Sequence, residues 1–128
     1  MSEYRELADA NELDFSKYIY KGNCLDEGIG LVTVVAVDTE RTALNGLLMV
    51  AYANKEAIDK TMETRIATYW SRSSNGLWVK GETSGNYQLV NRVYVDCDSD
   101  AVIYAVTPQG PACHKGTETC FTKPPVID

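Results

Sequence analysis

The stretch LVTVVAV, Leu31 to Val37, decides the fold class. It is β-branched and almost wholly apolar, the mark of a strand buried on both faces. Polar, turn-like residues follow from Asp38 to Asn45, and GLLMVAY, Gly46 to Tyr52, resumes as a second strand. The two runs read as a hairpin with a long loop. Downstream, Asn54 can accept from the first backbone N–H groups of a helix, and Glu56 faces the positive end of its dipole. Ile58 and Met62 stand four apart on one face, which predicts a helix over 55–64. ATYWS (67–71) and LWVK (77–80) flank Ser73-Ser74-Asn75-Gly76 as a second hairpin. Tyr87 to Asp96 and Ala101 to Thr107 are strand-like, and Pro108, Gly110 and Pro111 end the regular structure. Residues 2–13 read either as a short helix or as a terminus that packs late. About six strands with short connections favour antiparallel pairing. The expected class is α+β, a mostly antiparallel sheet with one main helix. A single domain is expected over 1–128, with 1–30 as an N-terminal extension.

Composition supports that reading. The chain has 128 residues, of which 45% are hydrophobic and 23% charged, an ordinary globular balance. A length of this size suits one domain that buries roughly two-thirds of its unfolded surface. Twelve basic residues against 18 acidic ones give a net charge of −6, which argues against general nucleic-acid binding. A small phosphorylated ligand held by a few local cations remains compatible with it. No apolar run approaches the roughly 20 residues of a membrane helix. Met1 to Ala10 carries Glu3, Glu6 and Asp9 and lacks the apolar centre of a secretory signal. A cytoplasmic protein is expected, in which cysteines serve as metal ligands or buried hydrophobes more often than as disulfides.

Three constellations carry chemistry. In Asp96-Cys97-Asp98-Ser99-Asp100, three carboxylates fall within five residues at a strand-to-strand tip. A hard divalent cation such as Mg²⁺ relieves their repulsion, although a solvated acidic turn is the alternative. A calcium EF-hand is excluded, because Ala101 and Thr107 stand where its glycine and glutamate belong. Cys97, Cys113 and Cys120 supply three soft ligands at spacings of sixteen and seven residues. Such thiolates select zinc, while buried free cysteines or a Cys113–Cys120 disulfide are the competing readings. If the one histidine, His114, completes the tetrahedron, the site is closed and structural. Adjacent side chains usually diverge, so water at the metal and His114 as a general acid–base group is preferred. Three thiolates weaken zinc as a Lewis acid, so the electrophile should be electron-poor; attack on a ring carbon by such a site is known chemistry.

The third constellation, Ser71 to Gly85, combines Arg72 and Lys80 with hydroxyls and glycines suited to cradling phosphate. It lacks the order of a nucleotide-hydrolase P-loop, and an ordinary polar hairpin is the plainer reading. Trp78 either stacks on a base or fills the core.

Tyr69 to Gly85 (YWSRSSNGLWVKGETSG), Val95 to Asp100 (VDCDSD) and Gly110 to Phe121 (GPACHKGTETCF) resemble the signature blocks of phosphoribosyl-AMP cyclohydrolases. The resemblance runs from about Leu31 to Phe121 and includes MVAYANKEA. It implies a hydrolase that opens the purine ring of 1-(5-phosphoribosyl)-AMP at N1–C6 in histidine biosynthesis. It further implies an intertwined homodimer with one Zn²⁺ and one Mg²⁺ per active site, placed at the subunit interface. By motif, Cys97, Cys113 and Cys120 would bind zinc, with Cys97 from the opposite subunit. Asp96, Asp98 and Asp100 would bind magnesium, and His114 would be the acid–base group. Substrate contacts would come from Arg72, Trp78, Lys80, Thr83 and Ser84, with Arg92 and Lys115 as further cations for the two phosphates. Ser74 replaces a basic residue and Ala53 a methionine common in the family, and Cys24 lies in a stretch without a match. A monofunctional form is expected.

Two other functions compete. A zinc deaminase of a nucleoside or base would attack a ring carbon similarly, but the H-x-E…P-C-x-x-C order is absent. A non-catalytic module stapled by a Cys3His zinc would leave the acidic cluster and the KGETSG loop without a role.

Overall fold

The computed structural model describes residues 4–22, 28–41, 43–113 and 118–121. The stretch quoted first forms β4 (Val32–Asp38), and its partner forms β5 (Leu47–Ala53). They pair antiparallel from Val32↔Ala53 to Val37↔Leu47, with a register shift between Ala36 and Val37. The expected burial of β4 on both faces is corrected. Val32, Val34 and Ala36 are buried, but Thr33, Val35 and Val37 are only half-buried. An all-apolar run hides this alternation, because only one face of the sheet is packed against the rest of the chain.

Short β1 (Arg5–Glu6), β2 (Ile19–Tyr20) and β3 (Ile29–Gly30) precede this hairpin. After it come α1 (Lys55–Thr64), β6 (Thr68–Ser71), β7 (Gly76–Val79), β8 (Gln88–Val95) and β9 (Ala101–Pro108). The main sheet has the order β1-β8-β9-β4-β5, while β2-β3 and β6-β7 form two-stranded sheets. Its pairings are antiparallel except for β4 with β9, which run parallel. The class is therefore α+β, mostly antiparallel sheet with one helix. Residues 2–13 do not form the alternative helix over their described part. Pairing of Arg5 and Glu6 with β8 holds the backbone extended, and only a 3-10 turn at Ala10–Glu12 follows. Its inward residues Leu7, Ala10 and Leu13 are nonetheless buried.

Helix α1 begins as its sequence demands. Asn54 Oδ1 accepts from the Ala57 N–H at 2.9 Å, and Arg65 ends the helix in the left-handed region at φ 64°. Ala57, Ile58 and Thr61 face inward and join Met49, Ala53, Tyr69 and Tyr104 in the core. Thr61 is the polar hinge of this packing. Its hydroxyl accepts from the Thr68 N–H at 2.9 Å and donates toward the Ala57 carbonyl at 2.9 Å, with Tyr104 Oη at 3.2 Å. Thr61→Val should cost about 1–3 kcal/mol, since it leaves a buried N–H without an acceptor. Urea unfolding of the two proteins measures the difference, and equal midpoints would contradict this role.

Candidate functional site

The turn between β8 and β9 brings Asp96, Asp98 and Asp100 together. One carboxylate oxygen from each lies within 4.8 Å of the others, the one such ligand group among the described residues. Asp96 Oδ1 accepts from the backbone N–H of Asp100 and Ala101, at 3.1 and 3.2 Å, which ties the tip closed. Crowding divides the titration of the other two. Hydrogen bonding from Asp100 and Asp96 lowers the pKa of Asp98, and the same contacts with Asp98 and Asp96 raise that of Asp100. Lys17 offsets the charge, with Nζ at 3.4 Å from Asp98, 3.8 Å from Asp100 and 2.8 Å from the Asp98 carbonyl. Three convergent hard oxygens fit an oxygen-seeking divalent cation that keeps part of its water shell.

A second group forms where the chain returns along β5. The backbone N–H of Cys120 donates to the Leu48 carbonyl at 2.7 Å, and Thr119 Oγ1 bonds the Leu47 carbonyl at 2.7 Å. This seats the Cys120 thiol beside that of Cys113, and both are unoxidised. Burial raises the Cys120 thiol pKa and Cys113 raises it further, while Lys80 opposes both. Lys80 is itself buried at 6% exposure, which lowers its ammonium pKa against the pull of Cys120 and Cys113. It follows β7 directly, and its N–H donates to the Ala67 carbonyl at 3.0 Å. Beyond it, Gly81 adopts φ +92° against the backbone of Asn86 and Tyr87, where a Cβ would collide. Trp78, 38% exposed, stacks its ring 5.4 Å from Tyr69 and is 6.0 Å from Lys80 Nζ.

Arg72 sits in the β6–β7 turn, at the end of that hairpin opposite Lys80. Its guanidinium lies 4.4 Å from the Tyr52 ring centroid and donates to Tyr18 Oη at 3.3 Å. With Ser71, Ser73, Tyr20, Trp70 and Trp78 it lines an open cleft of about 460 Å³. Thr83 and Ser84 are exposed in the following turns, where Ser84 Oγ accepts from the Asn86 N–H at 3.2 Å. Arg92 is engaged elsewhere, pairing with Glu6 at 3.0 Å. His114, Lys115 and Cys24 lie outside the described residues.

Cys97 does not join Cys113 and Cys120 within one chain. It is exposed at the acidic tip, beyond the last residue of β8 and level with the start of β4. Cys120 is held at Leu48, near the opposite end of β5, three strands across the sheet. Strand rise and spacing put the two cysteines on the order of 20 Å apart. Each chain thus carries one carboxylate-and-thiol end and one paired-thiol end. The sequence alone points to the carboxylates and cysteines, but Lys17, Tyr18 and Tyr20 carry no motif, and Tyr52, though within MVAYANKEA, carries no signal of a role beside Arg72.

A family model described as phosphoribosyl-AMP cyclohydrolase matches residues 49–122, which hold both ends of the site. The chain belongs to the phosphoribosyl-AMP cyclohydrolase family. It is 53% identical over 92 residues to a phosphoribosyl-AMP cyclohydrolase of a Mycobacterium species, covering 72% of this chain and 77% of the relative. It is 56% identical over 92 residues, 72% of its length, to the histidine biosynthesis bifunctional protein HisIE of Thermus thermophilus. The corresponding protein of Deinococcus radiodurans is 48% identical over 122 residues, or 95% of this chain. The chain spans 42% and 50% of the length of those two bifunctional relatives. No helix among the described residues is long and apolar enough to cross a membrane.

Lys80→Met tests the electrostatics of the paired thiols in metal-free protein. Removing the cation raises the Cys120 pKa further, so less thiolate is present at a fixed pH near 8. Site-resolved alkylation of Cys120 should slow ~2- to 5-fold, the scale of a partly screened ion pair. Unchanged or faster alkylation would contradict the assignment.

Proposed function

We propose that the chain hydrolyses the N1–C6 bond of 1-(5-phosphoribosyl)-AMP in histidine biosynthesis, using zinc and magnesium in a homodimer. The observation that carries this reading is the division of the donor set. Cys113 and Cys120 offer two soft ligands at one end of the chain, and Cys97 a third at the other. Antiparallel association of two copies, each turning its acidic tip toward the paired thiols of its partner, completes two sites by the same contact. The half-buried apolar residues Val35, Val37, Leu47 and Ile103 on the outer sheet face supply a surface for it. A cytoplasmic setting suits the reading, because it keeps the thiols reduced.

The residues present fit both metals by donor chemistry, three thiols for zinc and three carboxylates for magnesium. Bound zinc supplies an activated water near neutral pH, and bound magnesium neutralises substrate phosphate. The chain's own groups do the rest. Alkylation at N1 leaves the purine short of electrons at C6, so a weakly acidic centre suffices. His114 moves the proton from the attacking water to N1 as the ring opens. Lys80 favours thiolate at Cys113 and Cys120, Trp78 offers an exposed face for stacking, and Arg72, Thr83 and Ser84 hold phosphate.

Subunit mixing tests this directly. Cys97→Ala and Cys113→Ala chains should each be inactive toward 1-(5-phosphoribosyl)-AMP. After unfolding and refolding together in equal amounts, activity should return to roughly a quarter of wild type, because half the dimers are mixed and each carries one intact site. No recovery, with mixed dimers present, would overturn a shared site.

A further inference from the structure

Arg72 is held differently from the basic side chains that pair with carboxylates, and from Lys80, which is buried beside thiols. Lys17, Arg41, Lys55 and Arg92 each face a carboxylate. Arg72 makes no ion pair among the described residues and is held by tyrosines instead. Its guanidinium stacks on Tyr52 and donates to Tyr18 Oη, while its backbone carbonyl accepts from Tyr20 Oη at 3.3 Å. Tyr18 meets the Tyr52 ring edge-on at 5.4 Å, closing the cage. The segment that carries these tyrosines is itself pinned. The Asp14 N–H donates to the Ser99 carbonyl at 2.7 Å, and the Leu31 N–H to the Tyr18 carbonyl at 2.8 Å.

Stacking and hydrogen bonding order the guanidinium while giving it no carboxylate partner among the described residues, which leaves its charge available to an anionic ligand. The cleft beside Arg72 says what that ligand is. Ser71 and Ser73 present hydroxyls 3.3 Å apart, and Trp70 and Trp78 add aromatic walls. Cation, hydroxyls and rings together suit a phosphate monoester attached to a heterocycle. We infer that Tyr18 and Tyr20 are positioning residues that aim Arg72 at a nucleotide phosphate, making residues 14–20 part of the binding site. That segment lies outside the family match at 49–122. The identity of the ligand as a phosphorylated nucleotide rests on the proposed function.

Tyr18→Phe removes one oxygen and keeps the ring. Binding of AMP, followed by tryptophan fluorescence, should weaken ~3- to 10-fold, the span of one hydrogen bond. Binding of adenosine, which lacks the phosphate, should not change. Arg72→Gln should weaken AMP binding more, and Tyr18→Phe should add nothing in that background. In turnover of 1-(5-phosphoribosyl)-AMP, Tyr18→Phe should raise KM by a similar factor with kcat within about twofold. Equal loss for AMP and adenosine, additivity with Arg72→Gln, or no change overturns the inference and leaves the proposed reaction standing. The AMP pattern intact in a wild-type protein without turnover supports the inference and overturns the reaction instead.

Discussion

Backbone hydrogen bonding across β8, β9, β4 and β5 fixes where every candidate ligand can be. The sheet is a stiff plate, with Cys97 and the three aspartates at one corner and the Cys113–Cys120 pair at the diagonal one. Side-chain rotation moves a sulfur by a few ångströms and cannot close a gap of roughly 20 Å set by strand rise and spacing. A three-sulfur centre therefore requires a second molecule. On this account assembly and metal binding are one event, and a single folded chain holds two incomplete halves.

The two ends solve their electrostatics differently. At the acidic tip, Asp98 is exposed and Asp96 and Asp100 are half-buried; Asp98 and Asp100 shift each other's titration and borrow Lys17 as a local counter-charge. Solvent screens that arrangement, so it is cheap to rearrange around a cation. At the thiol end the cation is buried: Lys80 sits beneath Trp78 and beside two thiols. Burying an ammonium is costly without negative charge nearby, and ionisation of the thiols is what would supply it. Soft ligands thus lie near a buried cation at one corner of the sheet, and hard ligands lie in a partly exposed turn at the other.

Much of this was legible in the sequence. The helix over 55–64 was readable from Asn54 and the Ile58/Met62 spacing because caps and periodicity act locally. The β4–β5 and β6–β7 hairpins were readable from turn residues between apolar runs. The parallel pairing of β4 with β9 was not, since it joins segments about 70 residues apart through tertiary packing rather than any local signal. The burial of β4 was misjudged because an apolar run does not say which face a neighbour covers. At the site, carboxylate and cysteine motifs announced themselves by composition. The tyrosines around Arg72 did not, because each is an ordinary aromatic until Tyr18, Tyr20 and Tyr52 are brought together in space.

Zinc affinity measured across a dilution series, with molecular mass followed in parallel by sedimentation, tests the divided site most directly. The account predicts three-sulfur coordination near 2.3 Å in the associated form, and an affinity that falls as the chain dissociates to two-sulfur monomers. Tight, three-sulfur zinc binding that persists unchanged in the monomer would contradict it.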